Sequence, residues 1–583
     1  GRELDKLLGV SGSSYELLRR AAKAARGARS ALPAGWERRR SESTGREYYA
    51  CGARTQWERP TASLKLGADS FTAAFWEILV AVDQRWGQVF VYKEKPLADK
   101  SEMDKNYSFG TRWVRLGKGT FGSVYLAKHR KTGIRRAVKV IPQDGADDET
   151  LTRLDSEIGR LLTLDHPHIV KLYDCYKGGE NLYVVMDFCS GGDLSKYAKK
   201  MRSEGLRVTE GVLAKLMRQL LMAVAHVHWH GLLHLDIKPA NVVIVPEVMT
   251  MPPAHGPDPT PGPFQALDPA RPLHVMLIDL GLARIFQPGR FTNGKFAGSP
   301  ATMSPEVWRG VETPAADIFS CGCTFFYLLA DQYPFVPPPM SVEEATAFWA
   351  NEPQHAEYAA GDVYSSSAYS LCDKMLHQQR LERPTAAQCL QEDFFLDPHS
   401  RERVGQKESE RLQRLAKAPG RSPLYLSVAL AVASSWPAHR LPSIRKAFQE
   451  LDVAGTGRLQ KAQIVSTLIS LGVESGTAHK AADAMDLSRD GTVDWTEFVA
   501  ACIQLGSETL QDDLWELFRE ADRDQDGLLD RQDVAQLLAV EHLREDAVDD
   551  AMRQLAGQPG AKVDWPTFRR HFASVSASRS CTP

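Results

Sequence analysis

The sequence has no apolar run of membrane-spanning length; Leu424 to Ala433 is too short, so no transmembrane segment is expected. It also lacks an excess of one charge. Lys and Arg number 71 against 73 Asp and Glu, a formal net charge of −2, which excludes a global electrostatic pull toward nucleic acid. Paired cysteine spacing is absent too. The nine cysteines, Cys51, Cys175, Cys189, Cys321, Cys323, Cys372, Cys389, Cys502 and Cys581, are scattered, which excludes a disulfide framework. Cys321 and Cys323 lie in the apolar run Ile318 to Ala330, which reads as a buried helix and not a metal knuckle. Free thiols in a reducing, cytoplasmic setting are expected. Gly stands first instead of Met, as after removal of an initiator or in a fragment. Asp5 occupies the place where a myristoylation pattern wants Ser or Thr.

What is present fills several domains. At 583 residues the chain is long enough for about four folding units, and 43% hydrophobic with 25% charged residues is ordinary for globular protein. Residues 1–30 form a basic segment and 31–61 are dense in Trp, Tyr, Arg and Pro. Residues 62–108 stay an unassigned linker. From 109 to 396 strand-like and helix-like stretches alternate, interrupted at 246–272 by a proline-rich insert that defeats both ladder types. Residues 397–440 are basic and then apolar. Residues 441–575 hold four helix–loop–helix units, before a tail at 576–583.

The chemistry-bearing motifs of the middle region come in a fixed order. Leu116 precedes Gly117-x-Gly119-x-x-Gly122-x-Val124, where glycines let backbone amides approach phosphate oxygens. Alone the pattern is shared with dinucleotide sites. Next, Ala137-Val138-Lys139 places a lysine on a strand, suited to the α- and β-phosphates, and Glu157 on a following helix is its expected partner. His234-Leu235-Asp236-Ile237-Lys238-Pro239-Ala240-Asn241 offers a base, a phosphate-contacting lysine and an amide metal ligand. Asp279-Leu280-Gly281 offers the main magnesium carboxylate, and Ser304-Pro305-Glu306 closes the segment between. Phosphoryl transfer needs positioning and charge neutralisation more than covalent help, and these residues supply both.

Residues 109–395 therefore resemble a eukaryotic protein kinase, a bilobal α+β fold using ATP and Mg2+. The resemblance implies that Asp317 braces the catalytic loop and that Arg383 pairs with Glu306. It implies that Met186, just before the hinge Asp187–Cys189, lines the nucleotide site. Asp193 would lie near the ribose or a basic substrate residue. Lys238, two residues after the base, is the serine/threonine-type signature. The departures are specific. Leu235 replaces the usual arginine that binds an activation-segment phosphate, so phosphorylation at Thr292 or Ser299 is not expected to be required. Leu280 replaces Phe and Thr302 replaces a common Tyr; Ala240 replaces a glutamate that reads substrate arginine.

An EF-hand loop needs oxygen ligands at positions 1, 3, 5, 7, 9 and 12, with Gly at 6 for the turn. Asp486, Ser488, Asp490, Thr492, Asp494 and Glu497 meet this around Gly491. So do Asp522, Asp524, Asp526, Leu528 (through its carbonyl), Asp530 and Asp533 around Gly527. Asp533 is shorter than the usual Glu, so Mg2+ competes better there. The loops at 452–463 and 556–567 have lost ligands: Ala454 and Gln463 in one, nearly everything but Asp564 in the other. They are expected to complete lobes without binding ions. A kinase, a junction and four EF-hands, two of them Ca2+ sites, resemble the calcium-dependent protein kinases. In that family the junction blocks the kinase at low calcium. A solvated basic linker, with its helix packed on the lobes, is the other reading of 397–440.

Residues 31–61 resemble a WW domain, a small all-β fold that binds proline-rich peptides. Trp36, Tyr49 and Pro60 match its buckle, and Tyr48 and Trp57 its aromatic groove. A structural relic is the alternative. No Pro-Pro-x-Tyr occurs, and the chain's own proline runs are 252–263 and 337–339. The expected whole is a calcium-regulated serine/threonine kinase in signal transduction acting on protein substrates. The competing reading is a catalytically silent calcium-responsive scaffold, supported only by Leu235 and Ala240.

Overall fold

The structure is a computed structural model. It describes strands at 37–40, 47–51 and 54–56. Within 98–577 it describes all residues except 111–112, 120–121, 131–132, 144–160, 163, 180, 190–191, 246–272, 280–283, 286–297, 351–355, 359–362, 397–414, 416–421, 439–440, 453–454, 489, 504, 506–509, 539–544 and 559. Expectations for residues 1–30, Glu157, Trp57, the 246–272 insert and the basic half of the junction lie outside the described residues.

The chain divides into two compact units. In the first, β1 (Glu37–Arg40), β2 (Glu47–Cys51) and β3 (Arg54–Gln56) form an antiparallel meander. Arg38 pairs with Tyr49 and Tyr49 with Gln56, so β2 is central.

All other described elements belong to the second unit. Its first lobe is a twisted sheet of β4 (Ala98–Asp99), β5 (Tyr107–Ser108), β6 (Val114–Gly119), β7 (Gly122–His129), β8 (Arg135–Pro142), β9 (Leu172–Gly178) and β10 (Asn181–Asp187). Strands run in the order β4-β9-β10-β8-β7-β5, with β6 pairing β7. The lobe thus begins before residue 109: β4, a helix at Lys100–Asn106 and β5 join its edges, with Met103 and Tyr107 buried in its core. These segments are too short to show a period in sequence.

The second lobe is built on two helices. Glu210–Trp229 is apolar nearly all round and is buried accordingly. Pro314–Ala330 starts with Pro at its first turn and ends on Asp331 at φ 62°. Cys321 and Cys323 are buried in it, as expected from the sequence, and the described cysteines are free. Strands Val242–Val245 and His274–Leu277 pair as a hairpin, so the 246–272 insert departs and returns between adjacent strands.

Helix Pro423–Ser435 of the junction shares one hydrophobic core with the EF-hand helices, burying Leu424, Tyr425, Val428, Ala429 and Val432. Ser422 caps it by accepting from the Tyr425 N–H at 3.2 Å. The Tyr425 hydroxyl spans to the Ile503 carbonyl and Leu505 amide. Loops pair across each EF lobe: Leu459 with Val493, and Leu529 with Val563. Among the described residues no helix is long and apolar enough to cross a membrane.

The first EF-hand docks on the helical lobe. Gly457 reaches it at φ 72°, where an added Cβ would sit 2.4 Å from His226 Nδ1 and 2.5 Å from His166. His226 Nδ1 lies 2.7 Å from the Thr456 carbonyl. The amide of Thr496 donates to Asp165 at 2.7 Å, and Lys171 donates to the Thr496 hydroxyl at 3.2 Å. Arg136 donates to the Ser435 carbonyl at 3.0 Å while stacking on Tyr173 and pairing with Asp187.

Candidate active site and calcium loops

Lys139 sits on β8 between Val124 and Val184 of its neighbours, buried, with its Nζ 2.5 Å from Asp279 Oδ1. Ala137 pairs with Met186 one step along the same face. The glycine-rich turn is the β6–β7 hairpin, in which Gly117 faces open space. Gly122 runs so close to β8 that a Cβ would stand 2.0 Å from the Val140 carbonyl, so glycine is required there.

Asn241 and Asp279 stand side by side at the open end of the 242–277 hairpin, whose register is continued by the Ile278 amide bonding to the Asn241 carbonyl at 2.9 Å. Burial works to raise the Asp279 pKa. The charge and hydrogen bond of Lys139, with His234 and Lys238, outweigh it and hold the carboxyl below the usual carboxylate range.

Asp236 is buried with both oxygens engaged. Oδ2 accepts from Lys238 at 2.7 Å and from Asn241 at 3.1 Å, and Oδ1 accepts from the Ser299 hydroxyl at 2.8 Å. Lys238 also donates to Ser299 Oγ at 2.8 Å. Behind this loop Asp317, fully buried, accepts from the amides of His234 and Leu235 and from His228. Leu235 takes φ 64°, uncommon for a branched residue, and buries its side chain in the arginine's place. Arg383 forms a two-pronged pair with Glu306 at 2.6 and 2.9 Å.

Sequence reasoning overlooked the role of Ser299 by treating it only as a phosphate acceptor. The signal was Gly298, at φ 120°, where a Cβ would meet the Leu235 carbonyl at 2.6 Å. Only glycine lets the segment pass under the catalytic loop and present Ser299. Asp193 was expected near ribose or substrate. In the structure it caps helix Leu194–Ser203, accepting from the Lys196 amide at 2.8 Å and pairing with Lys196 Nζ at 2.9 Å.

In the 486–497 loop, Asp486 and Glu497 are buried and Asp494 is half-buried beside them. Asp494 and Glu497 form a capping box at the start of helix Trp495–Cys502, and Glu497 also accepts from the Ser488 amide at 2.8 Å. Burial, then the Asp165 charge, push the Asp494 carboxyl up to about 7. Burial and Asp494 raise Glu497 well above its usual value. Two carboxylates packed so closely, with Asp486 beside them, suit a divalent cation. In the 522–533 loop, ligand oxygens of Asp522, Asp524 and Asp526 lie within 4.8 Å of one another, and Asp522 Oδ1 is buried without a hydrogen bond. That orphaned oxygen also fits a bound ion. The Thr492 and Leu528 amides bond to Asp490 and Asp526, ordering both turns.

Residues 111–395 match the protein kinase domain family, 442–503 the EF-hand domain pair and 516–538 the EF hand. The chain is 26% identical over 472 residues to calcium-dependent protein kinase 8 of Arabidopsis thaliana, covering 78% of this chain and 81% of that one. It is 27% identical over 474 residues to calcium-dependent protein kinase 9 of Oryza sativa subsp. japonica, covering 78% and 75%. With calcium-dependent protein kinase 6 of Plasmodium berghei (strain Anka) it shares 24% identity over 478 residues, 80% of this chain but only 30% of that protein. The chain is a calcium-regulated serine/threonine protein kinase.

In this kinase the EF-hand contact buries three histidines. Burial, with neighbouring His230 and His274, pushes His166 down to about 3. Burial also holds His168 well below its usual value, reinforced by His274, His166 and Arg445. His226 is lowered by burial, His230, His166 and Arg458, against the opposing Thr456 carbonyl. Docked rings stay neutral, whereas released rings titrate near about 6.5. The undocked state therefore gains protons as pH falls below about 6.5, and the docked state does not until far lower. Docking is expected to weaken by up to about 1.4 kcal/mol per pH unit for each ring exposed. Small-angle scattering at about pH 7.5 and 5.5 should show expansion at the lower value. Identical profiles would sink this.

Proposed function

We propose that this kinase transfers the γ-phosphate of ATP to serine or threonine hydroxyls of proteins, with Asp236 as the base. The observation that carries the reading is the Asp236–Ser299–Lys238 triangle. A hydroxyl there donates to the carboxylate and accepts from the lysine, as an acceptor hydroxyl must at the start of transfer. Asp236 takes the hydroxyl proton as its oxygen bonds to the γ-phosphorus and the bond to the β-phosphate bridge oxygen breaks, releasing ADP. Lys238 steadies the moving phosphoryl group, and Lys139 holds the α- and β-phosphates beneath the 117–122 glycines. Magnesium supplies charge to the phosphate oxygens, and Asn241 with Asp279 offers the oxygen ligands that a hard cation takes.

Calcium regulation is assigned to the loops 486–497 and 522–533, whose acidic ligands would hold the ions. Their lobes carry the junction helix Pro423–Ser435, and Thr496, adjacent to ligand Glu497, is bonded to Asp165 of the kinase. Any redirection of Glu497 is therefore felt at the docking contact. Protein substrates are the partners this chemistry needs. The test is phosphate transfer to generic serine and threonine peptides by the purified chain, in calcium and in chelator. No transfer in either would defeat the catalytic reading; equal transfer in both would defeat regulation.

Residues 31–61 are further proposed to bind proline-rich peptides through Tyr48 and Trp57. The three-stranded meander with Tyr48 and Tyr49 on its central strand supports this. Calorimetric titration of the full chain with a proline-rich panel, repeated in Trp57→Ala, tests it: no heat from any peptide ends the idea.

A further inference from the structure

The two EF-hand loops that lost their ligands carry basic residues at matching places. Counting from the first loop residue, position 7 is Arg458 in the 452–463 loop and Lys562 in the 556–567 loop. Each reaches across its lobe to the position-5 aspartate of the ligand-rich loop: Arg458 pairs with Asp490 and Lys562 with Asp526. The backbone explains the coincidence. Position 8 of each loop pairs with position 8 of its neighbour, Leu459 with Val493 and Val563 with Leu529. Position 7 is thereby held beside the partner's ligand cluster in both lobes. The first lobe adds a second cation. Lys461 Nζ lies 2.6 Å from Asp486 Oδ2, the position-1 ligand, whose side chain is buried, and 3.1 Å from Asp483.

We propose that the degenerate loops are tethered counter-cations: Arg458 with Lys461, and Lys562, occupy the ligand carboxylates of the neighbouring loops and set the calcium threshold by competing with the ion. The proposal rests on the assignment of 486–497 and 522–533 as calcium loops. A carboxylate oxygen spent on an ammonium or guanidinium must be released before a divalent ion uses it. A cation held nearby by the chain still repels the ion after release. This differs from a mere clasp between loops. Removing a clasp loosens the lobe and weakens calcium binding, or leaves it unchanged; removing a competitor tightens it. The lobes should respond unequally. Arg458 and Lys461 are two charges whose partners are largely buried, and Lys562 is a single, half-exposed one facing an aspartate open to solvent.

The experiment is calorimetric titration of the full chain with calcium chloride, comparing wild type, Arg458→Met/Lys461→Met and Lys562→Met. Methionine keeps an apolar stem, and circular dichroism checks the fold. The double change is expected to tighten one site by roughly 5- to 30-fold and Lys562→Met the other by about 2- to 5-fold. In a Glu497→Gln background, which disables the 486–497 loop, the double change should lose its effect while Lys562→Met keeps its own. Arg458→Lys, which preserves charge, should stay near wild type and guards against a folding artefact. Wild type that binds no calcium would end the calcium reading itself. Two-site binding in wild type, with unmoved or weakened constants in folded variants, would overturn the tethered-cation proposal alone.

Discussion

Asp236→Asn is expected to lower kcat by roughly 100- to 10,000-fold, the range that a positioned general base contributes, with the fold and the KM for ATP nearly unchanged. The substitution keeps shape and removes charge. The Asn241 side chain bonds the Asp236 backbone carbonyl at 2.8 Å, and the Asp317 contacts to the His234 and Leu235 amides involve no Asp236 side-chain atom. The loop should therefore hold. What disappears is the acceptor for the hydroxyl proton and the partner of Lys238. ATP contacts through Lys139 and Asp279 lie outside the change. Lys139→Met should fail differently, raising the KM for ATP as well as lowering kcat, because Asp279 loses its neighbour. Steady-state kinetics on a peptide substrate separates the two patterns. Undiminished kcat in folded Asp236→Asn would remove that residue from the chemistry.

The parts legible in sequence are those in which chemistry dictates residue type over a few consecutive positions. The 234–241 run, Asp279 and the 486–497 and 522–533 loops are of this kind, and their geometry follows from local turns and one hairpin register. What escaped reading depends on contacts between distant segments. Ser299 is within reach of Asp236 only because Gly298 passes beneath Leu235. The loops at 452–463 and 556–567 show lost ligands in sequence, but their cations gain meaning only once the position-8 pairing brings them to Asp490 and Asp526. Gly457 reads as an ordinary turn glycine. Gly491 and Gly527, at the same loop position, face open space, whereas Gly457 is pressed against His226, so docking adds a second demand there.

Glu497→Gln is expected to abolish calcium activation over the range where wild type responds, shifting any residual response by on the order of 100-fold or more in calcium. The reasoning separates fold from charge. Glutamine serves at this position of a capping box, and Gln463 does so in the first hand, accepting from the Gln460 amide at 2.9 Å. Helix Trp495–Cys502 should therefore keep its start, and Thr496 its bond to Asp165. The substitution also relieves the ion-free loop, because burial and the neighbouring Asp494 charge raise the pKa of the Glu497 carboxyl. It thus stabilises the empty loop while removing the two-oxygen anionic ligand at position 12, and both effects oppose calcium. Calorimetry should find one site fewer than in wild type, and the activation curve should flatten while activity in chelator is unchanged. Gln463→Ala and Thr567→Ala, at position 12 of the degenerate loops, should leave the number of sites as it is. A Glu497→Gln protein that keeps wild-type stoichiometry and activation would show that the 486–497 loop is not the sensing site. Regulation would then have to reside in the 522–533 loop, whose shorter Asp533 makes it the weaker candidate.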